Sequence, residues 1–508
     1  MTEKYEKIMK IAKRRGFIWP SFEPYGGVAG FYDFGPLGSL LKQNLLDKWR
    51  QYYVREEGFF EIDSPTVFPE EMLRASGHVD HFNDVMVSCP SCGSSYEVTE
   101  LVEEMTGIDI EGKSKDEMKE IIDGENVVCP KCGGPLGGLY DFNTMFETAI
   151  GPEKDRKAYL RPETAQSIFV DFNRLKRVAR KKLPFGVVQI GKGYRNEISP
   201  RKGIIRLREF TMAEAEIFFD PEKPSHKNFD ELKNDELRLW LSNDQMDGNE
   251  KIRNIKVEKA VQKGFICNEL MAYHLALANR FFKEIGIPSD MLRFREQVPG
   301  ERAHYSEETW DSEIYTERFG WVEAAGFAYR TDYDLSQHTE YSNEDMTMFY
   351  QEKGEAEGKK LIPHVVEPSY GIDRCIYGVL EHSFSESDEK TYFEFEKDLA
   401  PLEVSVFPLI TDDGLPERAE EVVELLQKAG LNVEYDDSGS IGRRYARADE
   451  VGTPYCVTVD HQSLDDSTVT IRDRDTTEQI RVEIENLPDI IGGLLDRTIS
   501  FDNAGDKC

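Results

Sequence analysis

The chain lacks any apolar run near the roughly 18 residues of a helical membrane span, which excludes that class of protein. Its amino end, MTEKYEKIMK, is charged where a secretory leader would be apolar, so a soluble, cytoplasmic protein is expected. Cysteine is scarce, at 8 of 508 residues, and nothing in the sequence indicates an oxidising compartment. Positive charge is short too. With 63 Lys and Arg against 96 Asp and Glu, the net charge of −33 argues against nonspecific polyanion binding. Such an acidic surplus suits a salty cytosol, where screening shrinks to about 3 Å at 1 M. Aromatic side chains, by contrast, are plentiful at 11%, which rules out a disordered protein. At 508 residues the chain is expected to divide into three or four domains.

The organising stretch is Tyr194–Glu214, YRNEISPRKGIIRLREFTMAE. It reads as two strands of alternating character joined by a polar, basic loop. On the first leg Arg195 and Glu197 are two apart and share a face. On the return leg the even spacing of Arg206, Arg208, Phe210 and Glu214 puts all four on one side. Guanidinium forks grip phosphate bidentately, an aromatic ring stacks on a base, and carboxylates accept N–H donors. The set suits ATP together with an amino-bearing ligand, although a charged hairpin with a solvated face would use the same residues. Between 174 and 208 a dozen basic residues, Arg201 and Lys202 among them, are opposed by Glu197 alone. If RNA is a partner, this local patch is where it would be met.

Cys89-Pro-Ser-Cys92-Gly and Cys129-Pro-Lys-Cys132-Gly form two matching knuckles. Four thiolates in this pattern are what tetrahedral Zn²⁺ needs, with glycine relieving the turn behind the second sulfur. Their separation exceeds the usual ribbon spacing, and acidic helices near 99–106 and 114–122 would fill it. A pair of disulfides is the alternative. Cys267, Cys375, Cys456 and Cys508 read as core or surface thiols.

Upstream, Leu37, Leu40, Leu41, Leu45, Trp49, Tyr52 and Tyr53 recur at helical spacing. That helix stops near Gly58 and runs into a strand, 59–62, that ends at Ser64-Pro65. In Tyr159–Gln166, Pro162 is positioned to open a helix with Glu163 in its first turn. Val365–Arg374 is an apolar strand, then a small-residue turn, with Arg374 starting the next helix. From 400 onward, strands at 403–409, 431–435, 455–459, 468–473 and 479–484 alternate with helices at 416–429 and 487–496, predicting a mixed sheet flanked by helices.

Three of these segments, in order, resemble motifs 1, 2 and 3 of the class II aminoacyl-tRNA synthetases: the helix 37–53 with its proline-ended strand, Tyr194–Glu214, and Val365–Arg374. The stretches Arg161-Pro-Glu-Thr-Ala-Gln166, Arg74-Ala-Ser-Gly-His78 and Glu367-Pro-Ser369 are similar to sequences of the glycyl family within that class. Ser440–Arg447 and Thr470–Arg474 look like parts of the class IIa anticodon-binding domain. The resemblance implies an α+β fold whose antiparallel-sheet catalytic domain comprises 1–84, 141–220 and 306–398. It implies a zinc-ribbon-like insertion at 85–140, a charged helical insertion touching tRNA at 221–305, an α/β anticodon-binding domain at 399–500 and a loose tail at 501–508.

The same resemblance implies glycine activation by ATP with Mg²⁺, transfer of the glycyl group to tRNA(Gly), one structural zinc, and a homodimer joined through motif 1. It assigns Arg195 to the α-phosphate and Arg374 to the γ-phosphate, as the catalytic pair. Phe210 would stack on adenine, and Glu197 would accept from its exocyclic amine. Asn196, Arg206, Leu207, Arg208, Glu209, Ala324, Gly371, Ile372 and Asp373 would complete the ATP site, and Glu323 would hold Mg²⁺. Arg74, Glu163, Glu214, Glu367 and Ser369 would bind glycine, Ser369 filling the space a methyl group would take. His78 and His81 are expected to cap turns or pack. Two other readings stay open: a class II enzyme for threonine, proline or serine, and a catalytically inactive relative that uses the fold to bind RNA or a polymerase.

Overall fold

Helix α1 (Pro36–Arg50) starts with proline in its first turn and buries Leu41, Leu45 and Trp49 along one stripe. That stripe joins the main core over a nine-stranded sheet. In chain order its strands are β1 (Phe60–Ile62), β2 (Phe185–Tyr194), β3 (Glu209–Phe219), β4 (Glu236–Trp240), β5 (Arg253–Lys256), β6 (Leu292–Glu296), β7 (Glu308–Thr316), β8 (Gly320–Thr331) and β9 (His364–Gly371). Across the sheet they run β5-β4-β6-β7-β8-β9-β3-β2-β1. Neighbours are antiparallel except at β1–β2 and β4–β6. The computed structural model describes the chain apart from residues 1–2, 109, 111, 153–155, 199, 201–202, 352–356 and 388–390. Arg201 and Lys202 of the basic patch thus lie outside the described residues.

Period two decides which side chains face the site. On β3, Ala213, Ala215, Ile217 and Phe219 belong to the main core. Phe210, Met212, Glu214 and Glu216 therefore point to the opposite face. There a smaller cluster gathers Val187 and Phe218 with helix α2 (Ala165–Val170). The core face is covered by helix α3 (Glu269–Glu284), and Leu335 of helix α4 (Tyr333–Ser342) packs on the site face. Helix α5 (Ile372–Ser383) follows directly from β9 and buries its first turn in the main core. Gly191 on β2 must be glycine, because a Cβ there would lie 2.0 Å from Nη2 of buried Arg161.

Segment 221–305 differs from its expected form as a charged insertion. Its β4, β5 and β6 extend the same sheet, and Leu270, Met271, Leu275, Phe281 and Phe282 of α3 sit in the main core. Charged residues on the alternate positions of β4 (Glu236, Arg238) mask the apolar pair Leu237 and Leu239 in the sequence.

The carboxyl-terminal fifth, from residue 404 onward, follows the predicted alternation closely. Strands β10 (Val404–Pro408), β11 (Val433–Tyr435), β12 (Tyr455–Val459), β13 (Thr468–Asp473) and β14 (Gln479–Glu483) pack with helices α6 (Leu415–Lys428) and α7 (Ile441–Val451) and with α8 (Leu487–Leu495). The tail, expected to be loose, instead supplies β15 (Asp506–Lys507), which pairs with Arg481 and Ile480. Its short, charged character suits the sheet edge it occupies.

Candidate active site

Strand β3 starts at Glu209, so Arg206 and Arg208 lie in the loop before it, and Arg195 and Glu197 lie just past the end of β2. The expected even-spacing argument therefore holds for Phe210 and Glu214 but not for the two loop arginines. A cavity of about 280 Å³ opens beside this loop. It is lined at one end by Arg195, Arg206, Phe210 and Arg374, and at the other by Glu163, Glu214, Glu367 and Ser369. Glu197, Leu207, Glu323, Ala324, Gly371 and Asp373 also border it.

At the arginine end, the Arg195 guanidinium lies between two rings, 5.2 Å from the centre of Phe82 and 5.5 Å from that of Phe210. Its Nε is buried without a hydrogen-bond partner among the described residues. Such a donor is ready for an anion. Arg374, in the first turn of α5, donates from Nε to the Ile205 carbonyl (3.0 Å) and from Nη1 to Glu323 Oε2 (3.0 Å). Asp373 accepts from Lys42 Nζ (2.9 Å) and from the Thr211 amide (2.6 Å), tying α1 and β3 to the helix start.

The acidic end is built by register. Gly326, Ser369, Glu214 and Gln189 form one row across β8, β9, β3 and β2, and Ala328 and Glu367 begin the next. Ser369 Oγ donates to Glu214 Oε1 (2.7 Å), and the Thr164 amide donates to Oε2 (2.6 Å). Glu163 was expected in the first turn of a helix opened by Pro162. The helix instead starts at Ala165, which leaves Glu163 ahead of it, where Gln166 Nε2 donates to it (3.0 Å). Arg161 explains this placement: Nε and Nη1 donate to the carbonyls of Lys192, Ser64 and Pro65 and fix the run between β1 and β2.

Sequence reasoning missed the cation that organises these acids. Arg330, on β8, is fully buried and donates from Nη1 to both oxygens of Glu367 (3.0 and 2.9 Å) and from Nε and Nη2 to Asp334 on α4 (2.7 and 2.9 Å). The ring of Tyr305 covers its guanidinium at 3.7 Å. Alternation with Gly326 and Ala328 along β8 was the available signal, while Tyr305 and Asp334 left none. His78 also does more than pack: Nδ1 meets Ser76 Oγ at 2.7 Å, and Nε2 lies 3.3 Å from Glu163 Oε2. The His81 ring lies beside that of His304, with centroids 4.9 Å apart and planes tilted by 38°.

Glu163, Glu214, Glu216, Asp334 and Glu367 are all buried together, so negative charge exceeds what Arg330 balances. Burial pushes Glu367 up to about 8 against the pull of Arg330, with Glu214 and Glu163 adding to the rise. Burial raises Glu214 too, and Glu163 reinforces it. Glu163 goes the other way: His78 and Arg330 outweigh its burial and hold it below the usual carboxylate range. A pocket of this kind favours a small ammonium ion.

Several expected site residues fall elsewhere. Arg74 is exposed and pairs with Glu70 (2.9 Å). Arg208 is spent on backbone carbonyls, those of Glu197 (2.8 Å) and Ala29 (2.7 Å). Glu209 pairs with Lys192 (3.4 Å), and Ile372 is buried in the main core. Asn196 donates its backbone N–H to the Thr144 carbonyl (2.6 Å). Asp311, absent from the expected set, borders the cavity on β7 and accepts from Gln297 (2.9 Å).

The four knuckle cysteines converge as expected. Their sulfurs all lie within 4.8 Å of one another, with Cys89–Cys132 at 3.5 Å and Cys92–Cys129 at 3.6 Å. None is disulfide-bonded. These spacings match sulfurs about 2.3 Å from one tetrahedral ion.

Residues 145–383 match the family model described as the tRNA synthetase class II core domain (G, H, P, S and T), and residues 403–494 match that of the anticodon binding domain. The chain is 46% identical to a glycine–tRNA ligase of Methanocaldococcus jannaschii, over 96% of this chain and 98% of that one. It is 48% identical to the glycine–tRNA ligase of Pyrococcus furiosus, over 96% and 98%. It is 46% identical to that of Thermococcus sibiricus, over 97% and 99%.

Proposed function

The chain belongs to the glycine–tRNA ligase family of class II aminoacyl-tRNA synthetases, and from that premise we propose how its residues divide the reaction. Glycine's carboxylate attacks the α-phosphorus of ATP, pyrophosphate leaves, and the terminal ribose hydroxyl of tRNA(Gly) then takes the glycyl group. Arg195 neutralises charge at the α-phosphate as five-coordinate phosphorus forms, and Arg374 holds the γ-phosphate. Phe210 stacks on adenine, and Arg206 and Glu197 complete the nucleotide loop. Catalysis of this kind needs no protein nucleophile, because positioning and electrostatics lower the barrier. Glu323, with Asp311 close by, offers carboxylates to the Mg²⁺ that ATP brings.

Glycine offers no side chain to grip, so selection rests on its ammonium group and on exclusion. Glu163, Glu214 and Glu367 surround the ammonium, and Ser369 occupies the space of an alanine methyl. The observation that carries the reading is one cavity shared by Arg195 and Arg374 with these four residues. The cysteine cluster holds one structural Zn²⁺. The exposed edge of β1 and helix α1 form the homodimer contact, and the protein works in the cytoplasm. Among the described residues no helix is long and apolar enough to cross a membrane.

ATP–pyrophosphate exchange measured across amino acids tests the assignment. Exchange with glycine is expected, together with its loss by orders of magnitude in Glu367→Ala. Exchange only with serine, threonine or proline, or unchanged exchange in that variant, would overturn it.

A further inference from the structure

The module that carries the cysteine cluster and the residues at its base meet the nucleotide loop at three separate points. Its two legs are the strands Asn83–Ser88 and Leu139–Asn143, which pair with each other just below Cys89. Phe82, at the foot of the first leg, lies under the Arg195 guanidinium at 5.2 Å. Thr144, at the foot of the second, accepts from the Asn196 amide (2.6 Å), and its own amide donates to the Phe82 carbonyl (3.1 Å). The third point is Glu100, in the helix Val98–Thr106, which pairs with Nη1 of Arg206 while Glu197 accepts from Nε of the same arginine at 2.5 Å. That helix buries Val98, Leu101 and Val102 in one small core with Cys89 and Cys129. The position of Glu100 is therefore set by the cysteine cluster, and the loop that faces the nucleotide is fixed from outside its own domain.

We propose that Glu100 is a positioning residue for ATP, holding Arg206 in the nucleotide loop on behalf of the cysteine-bearing module. The physical argument is entropic. An arginine side chain between two carboxylates has already lost the rotamer freedom that it would otherwise lose on meeting a phosphate. The guanidinium presents five donors in a fork, so engaging Nε and Nη1 leaves donors available for a third acceptor. Glu197 alone lies on the loop and moves with it, whereas Glu100 supplies an anchor that does not. The inference rests on the assignment of this loop to ATP.

The test uses full-length, metal-loaded protein with Glu100→Ala, Glu100→Gln, Arg206→Ala and the Glu100→Ala/Arg206→Ala double variant. The readouts are KM for ATP and for glycine in pyrophosphate exchange, the Kd of a non-hydrolysable ATP analogue by calorimetry, and metal content. Because the pair is partly exposed, Glu100→Ala is expected to raise the KM for ATP and the analogue Kd by about fivefold. The KM for glycine should move less than twofold and metal content not at all, with Glu100→Gln intermediate. Adding Glu100→Ala to Arg206→Ala should cost nothing further, since the effect runs through that arginine. An unchanged or lowered KM for ATP, or two effects that simply add, would overturn the proposal. Wild-type protein that binds the analogue but performs no exchange would count against the functional reading and leave the analogue Kd values to decide this one.

Discussion

Arg330 and Glu367 meet as a buried pair in which one guanidinium nitrogen lies 3.0 and 2.9 Å from the two carboxylate oxygens. The remaining nitrogens hold Asp334, so one cation locks β8, β9 and α4 around the amino acid pocket. Removing one partner of a buried set leaves its charges uncompensated, which costs about 3–5 kcal/mol. Arg330→Ala is expected to lose that much in urea unfolding. Arg330→Lys should recover only part, because a point charge cannot fork onto two carboxylates.

The carboxyl of Glu367 gives the enzyme a pH signature. Burial lifts it to about 8, so near neutrality the folded pocket keeps a proton that an unfolded glutamate would have released. Two consequences follow, of opposite sign. Stability from this group declines as pH rises from the ordinary carboxylate range toward about 8, because the native state there binds more protons than the unfolded one. An arriving ammonium ion drives the same proton off, so glycine binding tightens as pH rises. The KM for glycine is expected to fall between pH of about 6.5 and 8 while the KM for ATP stays level. In Glu367→Gln that slope should be lost along with most activity.

The parts of the site legible in the sequence were those carried by short contiguous runs. Arg195, Phe210 and Glu214 stand on either side of one loop, Glu367 and Ser369 on one strand, and the four cysteines in two knuckles of the same spacing. Local spacing is enough for these. His78, Tyr305 and the Arg330–Asp334 pair come from three separate segments, and only the register of the sheet and the packing of α4 bring them together. The same limit explains segment 221–305: its strands extend the catalytic sheet through pairing with β7, which no local pattern announces. The loop arginines failed for a different reason. Even spacing implies a shared face only where the backbone is extended, and the chain enters a short 3₁₀ turn at Gly203–Ile205 before β3 begins.

Exclusion of alanine can be tested at Ser369. Its hydroxyl is committed to Glu214 (2.7 Å), which pins the side chain in the row facing Gly326. Ser369→Gly opens the space of a methyl group and removes one hydrogen bond to a carboxylate that still keeps Thr164. Discrimination by one methyl group is worth about 1–3 kcal/mol. Pyrophosphate exchange with alanine should become detectable, rising about tenfold or more relative to glycine. Absence of any alanine exchange would move the excluding wall to another residue.

The cysteine cluster predicts a metal requirement that is structural in kind. Val98, Leu101, Met118 and Ile122 share their small core with Cys89 and Cys129, and a core of this size cannot stand without a staple. Metal analysis should return about one zinc per chain, with ligand geometry of four sulfurs. Cys129→Ser should lose the metal and release the helices Val98–Thr106 and Lys115–Gly124 as a unit. Hydrogen exchange reads that directly, through faster exchange at 98–124 with protection in β3 and β9 retained. Exchange that stayed slow in the module after the metal was gone would mean that packing alone holds it. The cysteines would then act as ordinary buried thiols.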